Sequence, residues 1–163
     1  MIKILTTGGT IGGYEYAHEA DIPKITEISI EDFLKVANVS VEYSIQTILK
    51  KDSRFITEKD RQLIIETIYN EEENKILITH GTYTMVETAI YIGRQGINKT
   101  IVLVGSFILG TLNETDAPSN LKFAIDSLMR LPVGVYIAMN EQVFDWNNVK
   151  KNSETNKFER NDQ

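Results

Sequence analysis

Residues 6–13, which read TTGGTIGG, combine hydroxyl side chains with four glycines. A glycine-rich turn after the first apolar run is typical of phosphate-binding loops. Here, however, the spacing is not G-x-G-x-x-G, and no Gly-Lys-Ser/Thr pair is present. We therefore interpret the glycines as allowing close backbone approach and presenting Thr10. Thr10 is either a nucleophile activated by a base or relay, or a structural turn residue, and the pattern leaves both open.

A second polar segment, residues 80–84 (HGTYT), lies between an apolar run and a helical pattern. Thr84 and Glu87 fit a capping box, which predicts a helix beginning here. The free N–H groups of that helix could hold a carboxylate, and Thr82 is placed to hydrogen-bond a ligand. A histidine at a strand end more often packs or bonds a backbone carbonyl than acts as a base, so His80 is not assigned to catalysis.

The lysines and the potential metal ligands form no distinctive sequence motif. Lys150 and Lys151 are most simply interpreted as a solvated pair, since a lysine becomes a catalyst only when partly desolvated. The chain has two histidines and no cysteine, and residues 71–73 (EEE) fit a solvated turn. We therefore predict no metal site.

Composition restricts the class of protein. The 163 residues carry 17 basic and 23 acidic side chains, a net charge of −6, which disfavours nucleic acid as a partner. No apolar run approaches the ~20 residues of a membrane span, and the glycines at 8–9 come too early for a signal-peptide core. We expect one domain over residues 1–163, no membrane partner and a cytoplasmic location.

Five short apolar runs predict strands at 2–5, 41–49, 76–79, 101–104 and 133–138. Segments of helical period lie between them, beginning near residues 29, 57, 84 and 116. This alternation predicts a three-layer αβα fold with a mainly parallel sheet. Right-handed connections would then place every strand-to-helix loop at one edge of the sheet, where ligands bind. The polar residues from about 152 to 163 are expected to form a mobile tail.

Several motifs resemble those of bacterial-type L-asparaginases. Residues 7–12 (TGGTIG) resemble the first signature of that family, and residues 80–89 (HGTYTMVETA) resemble the second. Asp52 and Ser53 are similar to its substrate-binding loop, residues 115–121 (TDAPSNL) resemble a helix start, and residues 140–151 resemble the segment ending in a catalytic lysine. The resemblance implies a Rossmann/flavodoxin-like fold and hydrolysis of a side-chain amide without a cofactor.

Roles follow from the matched positions. The resemblance implies that Thr10 is the nucleophile, that Thr82 pairs with Lys151, and that the catalytic loop tyrosine is Tyr14 or Tyr16. The substrate-binding residues it implies are Gly9, Asp52, Ser53, Gly81, Tyr83 and Ser106. Among these, Ser53 would bind the substrate carboxylate, Ser106 falls where a backbone carbonyl meets the side-chain amide, and backbone N–H groups of the glycine loop would stabilise the oxyanion.

Two departures from the family pattern affect the expected function. Tyr83 stands where the family has an aspartate that holds the α-amino group of the substrate, and the family's smaller C-terminal domain is not represented. We expect an L-asparaginase-like amidohydrolase acting on a small amide substrate, as a homodimer or homotetramer. The alternatives are a non-catalytic module that binds an amino acid or related ligand, and a subunit completed by a separate chain.

Overall fold

Six strands form the central sheet of the computed structural model, which describes residues 1–15, 24–25 and 28–162. In chain order they are β1 (Ile2–Gly8), β4 (Tyr43–Lys51), β5 (Lys75–Thr79), β6 (Thr100–Val104), β7 (Gly134–Met139) and β8 (Gln142–Asp145). The spatial order is β4-β1-β5-β6-β7-β8, and only β8 is antiparallel to its neighbour within this sheet. The predicted α/β fold with a mainly parallel sheet is confirmed. The antiparallel edge strand β8 was not predicted.

Two short hairpins stand apart from the sheet. One pairs β2 (Tyr14–Glu15) with β3 (Lys24–Ile25), and the other pairs β9 (Lys150–Asn152) with β10 (Lys157–Glu159). The second hairpin differs from the mobile tail expected from about residue 152. Its physical basis is Phe158, which is buried with its ring centroid 5.8 Å from that of Phe107 and 6.5 Å from that of Phe144. Burial of one aromatic side chain anchors this otherwise polar segment.

The four predicted helices are present as α1 (Ile30–Val36), α2 (Glu58–Asn70), α3 (Met85–Gly93) and α4 (Ala117–Arg130). The central strands are buried on both faces, with Ile4 and Leu5 of β1, Ile78 of β5 and Leu103 of β6 fully inaccessible to solvent, whereas the edge strand β4 is mostly exposed or half-buried. Such continuous burial is typical of a parallel sheet covered by helices on both sides.

The connection through α4 departs from the predicted handedness. The β4-to-β5, β5-to-β6 and β6-to-β7 connections run in the same direction across the sheet, so a common right hand would place α2, α3 and α4 on one face. α2 does pack against α3, but α4 packs against α1 on the other face. The β6–α4–β7 connection is therefore left-handed, whereas the other three helical connections are right-handed. Its loop crosses to the α1 face, where Gly110 donates its N–H to Thr10 O at 3.3 Å.

Candidate active site

The loops after β1 and β5 meet at the point where the strand order reverses. The chain leaves β1 for β4 on one side and later returns to β5 on the other, with α1 and α2 on opposite faces. In open α/β sheets this reversal creates a crevice at the carboxyl ends of the strands, where ligands bind. Thr10 follows β1 and Thr82 follows β5, so both candidate catalytic threonines lie on loops at this crevice.

Glycines allow these loops to approach one another more closely than other residues could. A Cβ on Gly9 would lie 2.5 Å from Gly81 N, and a Cβ on Gly81 would lie 2.6 Å from Ser53 Oγ. Gly9 also has a φ of 79°, in the region that favours glycine. The loops after β1, β5 and β4 are therefore in direct contact through positions where no side chain fits. This agrees with the interpretation of the glycines as residues of close approach.

Thr10 begins a 3-10 turn, Thr10–Gly12, and its side chain is half-buried. The turn is fixed on both sides, because Gly9 N donates to Lys51 O at 2.9 Å and Gly13 N donates to Thr10 O at 3.1 Å. The local structure thus holds the Thr10 backbone firmly on the loop after β1.

Thr82 and Lys151 form a hydrogen bond of 3.1 Å between Nζ and Oγ1. Lys151 is half-buried in β9, with its Nζ 5.7 Å from the centroid of the Phe107 ring. Burial lowers the pKa of Lys151, while the negative charge of Glu87 opposes that shift. The solvated pair suggested by the pattern does not describe Lys151, which has the partial desolvation that a catalytic amine requires.

Ser53 is buried and links the loop after β4 to the start of α3. Its Oγ accepts from Thr84 N at 3.2 Å, and its carbonyl accepts from the Thr84 hydroxyl at 2.6 Å. Thr84 therefore does not form the predicted capping box, since its side chain makes no cap hydrogen bond and is used across the loops instead. Asp52 accepts from Arg54 N at 2.8 Å and from Arg54 Nε at 3.3 Å.

Tyr83 is 61% exposed and lines a cavity together with Glu87, Lys150 and Lys151. The ring therefore lies at the mouth of the candidate site and not in the hydrophobic core. The position that follows Thr82 presents a neutral hydroxyl to solvent, beside the half-buried amine of Lys151.

Ser106 is buried directly after β6, and its Oγ has no hydrogen-bond partner among the described residues. Its loop is held by Asp116, whose carboxylate accepts from Phe107 N and Ile108 N at 3.1 and 3.0 Å. Asn120 donates to Gly105 O at 3.1 Å and to Asp116 Oδ2 at 2.8 Å. The sequence pattern predicts only a helix start at Asp116 and Asn120. Their occurrence together in the TDAPSNL motif was the available signal for this network.

His80 is fully buried, and its Nδ1 lies 2.7 Å from Gly81 O. Because a carbonyl oxygen only accepts, Nδ1 carries the proton and Nε2 is the free acceptor. Burial lowers the pKa of His80 to about 4, with an additional contribution from the charge of Arg61. This neutral imidazole orients the Gly81 carbonyl, which agrees with the expectation that His80 bonds the backbone.

Tyr14 lies in β2, but its side chain and the whole of Tyr16 fall outside the described residues.

Within the described ranges there is no group of three His, Cys, Asp or Glu side chains that could hold a metal ion. In the same part of the chain, none of the helices is both long and apolar enough to span a membrane.

The sequence has recognisable relatives. The chain is 31% identical over 161 residues to an L-asparaginase of Thermococcus kodakarensis, and 30% identical over 168 residues to L-asparaginase 2 of Escherichia coli. These alignments cover 92% and 94% of the chain but 47% of each relative. The chain thus spans about half the length of the curated relatives it matches.

Solved structures give the same result. The thermostable L-asparaginase from Thermococcus kodakarensis superposes with a TM-score of 0.82 and 27% identity, over 98% of this chain and half of that one. A probable cytoplasmic L-asparaginase from Campylobacter jejuni superposes with a TM-score of 0.76 and 27% identity, over 92% of this chain and 49% of that one.

The family profile described as "Asparaginase, N-terminal" matches residues 1–161, nearly the whole chain. The resemblance inferred from the signatures around Thr10 and Thr82 is thereby confirmed. The chain belongs to the asparaginase family and corresponds to its N-terminal domain.

Proposed function

We propose that this chain is an amidohydrolase that converts the side-chain amide of L-asparagine to aspartate and ammonia, with Thr10 as the nucleophile. The observation that carries the proposal is the 3.1 Å hydrogen bond between Lys151 Nζ and Thr82 Oγ1, beside the loop that presents Thr10. A structural threonine has no need of a partly desolvated lysine, whereas a proton relay does.

In the first step, Thr10 Oγ attacks the amide carbonyl carbon. Backbone N–H groups of the glycine loop other than that of Gly9, which donates to Lys51 O, would stabilise the oxyanion. The hydroxyl proton of Thr10 passes to the amide nitrogen, and we assign this transfer to Tyr14 or Tyr16. The carbon–nitrogen bond then breaks, ammonia leaves, and an ester links the acyl group to Thr10.

In the second step, water hydrolyses that ester. The deprotonated amine of Lys151 accepts a proton through the hydroxyl of Thr82, which activates the attacking water. The carbon–oxygen bond to Thr10 breaks, the proton returns to Thr10 Oγ, and the carboxylate product leaves. Ser53 and Asp52 are proposed to bind the substrate, with Gly81, Tyr83 and Ser106 completing the pocket.

The assembly and location are also proposals. We propose a homodimer or homotetramer in which a neighbouring copy covers the crevice, where Tyr83 is 61% exposed. A cytoplasmic location is supported by the similarity to the probable cytoplasmic L-asparaginase of Campylobacter jejuni.

The alternative is a non-catalytic module that binds an amino acid or related ligand. The exposed neutral Tyr83 beside Thr82 favours it, while the bonded Lys151–Thr82 pair opposes it. A subunit whose site is completed by a separate chain is a third candidate.

Ammonia release distinguishes these proposals. Wild type is expected to release ammonia from asparagine or glutamine, and Thr10→Ala to lose nearly all of that activity while remaining folded. Thr67→Ala on α2 is the matched control, since its hydroxyl bonds Leu63 O within the helix. Equal turnover by wild type and Thr10→Ala would refute Thr10 as nucleophile. No ammonia from either, with ligand binding retained, would favour the binding module.

A further inference from the structure

Asparagine, the substrate proposed above, carries an α-ammonium group besides its carboxylate and its amide. An ammonium that enters a partly desolvated crevice needs a counter-charge to replace the water it loses. Tyr83, the residue after Thr82, offers only a neutral hydroxyl. The counter-charge for a bound asparagine therefore has to come from a carboxylate elsewhere around the crevice.

Three of the nearby carboxylates are already engaged with other groups. Asp52 accepts from Arg54 N and Nε at 2.8 and 3.3 Å. Asp60 lies 2.8 Å from Lys51 Nζ, and Asp116 accepts from backbone N–H groups of its own loop. A ligand ammonium would have to displace a cation or several donors to bind any of these acids.

Glu87 has no such partner among the residues that the structure describes. It is exposed, and its side chain makes no hydrogen bond or ion pair with another described residue. It lines a cavity of about 480 Å³ together with Tyr83 and Lys151. Because Lys151 Nζ also bonds Thr82 Oγ1 at 3.1 Å, this cavity adjoins the pair that the proposed mechanism uses. Glu87 thus places an uncommitted carboxylate beside the crevice.

The two lysines that line this cavity are the cations that would compete with a ligand for Glu87. Lys150 Nζ lies 3.5 Å from Glu159 Oε1, on the neighbouring strand of its hairpin. Lys151 is a neutral amine in the proposed mechanism before it accepts a proton, so it leaves the negative charge of Glu87 uncompensated. A positively charged ligand group is therefore expected to bind most strongly in the protonation state that the reaction needs.

We propose that Glu87 binds the α-ammonium group of the substrate. The ring of Tyr83 is the second contact, since it lines the same cavity and the face of an aromatic ring attracts cations. The inference rests on the proposed amide hydrolysis and names the residue that makes this site select amides of amino acids over amides without an ammonium. Glu87 is a binding residue in this assignment, and the bonds made and broken during hydrolysis are unchanged.

The test is calorimetric titration of the full chain carrying Thr10→Ala with L-asparagine and with succinamate, which keeps the carboxylate and the amide but lacks the ammonium. We expect asparagine to bind at least about tenfold more tightly, the usual range for a hydrogen bond to a charged group. Adding Glu87→Gln should remove most of that preference by weakening asparagine and leave succinamate within about twofold. Glu72→Gln is the matched control, at an exposed acid of the loop before β5, and should change neither affinity.

Several outcomes of this titration would overturn the assignment. An equal loss of affinity for both compounds in Glu87→Gln would show that Glu87 only supports the structure. An unchanged affinity for asparagine would show that another group receives the ammonium. Asparagine bound no more tightly than succinamate before Glu87 is replaced would show that no acid of the site serves it.

Ammonia release by chains with Thr10 intact keeps this inference separate from the proposed hydrolysis. No ammonia from either compound, with a preference for asparagine that depends on Glu87, would overturn hydrolysis and leave the ammonium site standing. Ammonia from asparagine with the same KM in wild type and Glu87→Gln would overturn the ammonium site and leave hydrolysis standing.

Discussion

Lys151 Nζ lies 3.1 Å from Thr82 Oγ1, although 69 positions separate the two residues along the chain. The contact joins the loop after β5 to the β9–β10 hairpin, which is anchored by the buried ring of Phe158. A flexible lysine is thereby held with its amine partly desolvated at the candidate site.

Lys151→Met should lower kcat more than it raises KM, because the amine is assigned to proton transfer and not to substrate binding. Lys157→Met is the matched control, since Lys157 is an exposed lysine of the same hairpin. Steady-state kinetics of ammonia release would check this. A change confined to KM would contradict the assignment.

Glu87→Gln should move the pH dependence of kcat. Lys151 acts as a base only when it is deprotonated, so activity rises with pH through its pKa. Burial lowers that pKa and the charge of Glu87 opposes the shift. Removing the charge should therefore lower the pKa further and move the rising limb of the kcat profile to lower pH. A limb that stays in place, or moves to higher pH, would show that Glu87 does not act on the catalytic amine.

His80 should make the free energy of unfolding depend on pH. Its pKa is about 4 in the folded chain against 6.5 for an unperturbed histidine, because burial disfavours the charged ring. Below pH 6.5 the unfolded state binds a proton that the folded state excludes, so stability is lost as pH falls from 6.5 toward 4. The loss from this group is of order 3 kcal/mol.

The comparison variant for that prediction is His80→Gln, which cannot titrate. The free energy of unfolding in urea is measured for wild type and variant at pH 7 and pH 4.5. The difference between the two proteins removes the contribution of the carboxylates, which both chains share. Wild type should lose more stability than the variant between the two pH values. The same loss in both chains would show that His80 does not titrate as the buried neutral ring requires.

Gly93→Ala should disturb the packing of the single tryptophan. A Cβ at Gly93 would lie 2.2 Å from Cδ2 of Trp146, so the indole ring must move. Overpacking of this kind costs about 1–3 kcal/mol. Thermal unfolding combined with tryptophan fluorescence would detect both the lost stability and the displaced ring.

Gly96→Ala is the contrast to that variant. No atom lies within 4 Å of the position a Cβ would take, but φ is +61°. The strain of a left-handed alanine should reduce stability and leave the fluorescence spectrum unchanged. An altered spectrum in Gly96→Ala, or an unaltered one in Gly93→Ala, would contradict the packing described.

Much of the architecture follows from local sequence alone. The apolar runs of β1, β5 and β6 identify strands buried on both faces, and the helical periods between them identify a parallel α/β sheet. That topology brings Thr10 and Thr82 to one edge of the sheet. The signatures around the same two residues identify the family. Local hydrophobic pattern is sufficient here because it specifies which elements form and how many of their faces are covered.

Tertiary structure decided which elements cover one another. The pattern of α4 requires a buried face but does not specify on which side of the sheet it packs, and the left-handed connection through α4 was not predicted. The sequence predicts that Thr84 caps α3, yet its hydroxyl donates a hydrogen bond to Ser53 O on the loop after β4. Lys151 has the local pattern of a solvated lysine, and its desolvation comes from long-range packing of the hairpin. The burial and the pKa of a side chain depend on neighbours that are distant in sequence, so a local sequence pattern does not specify them.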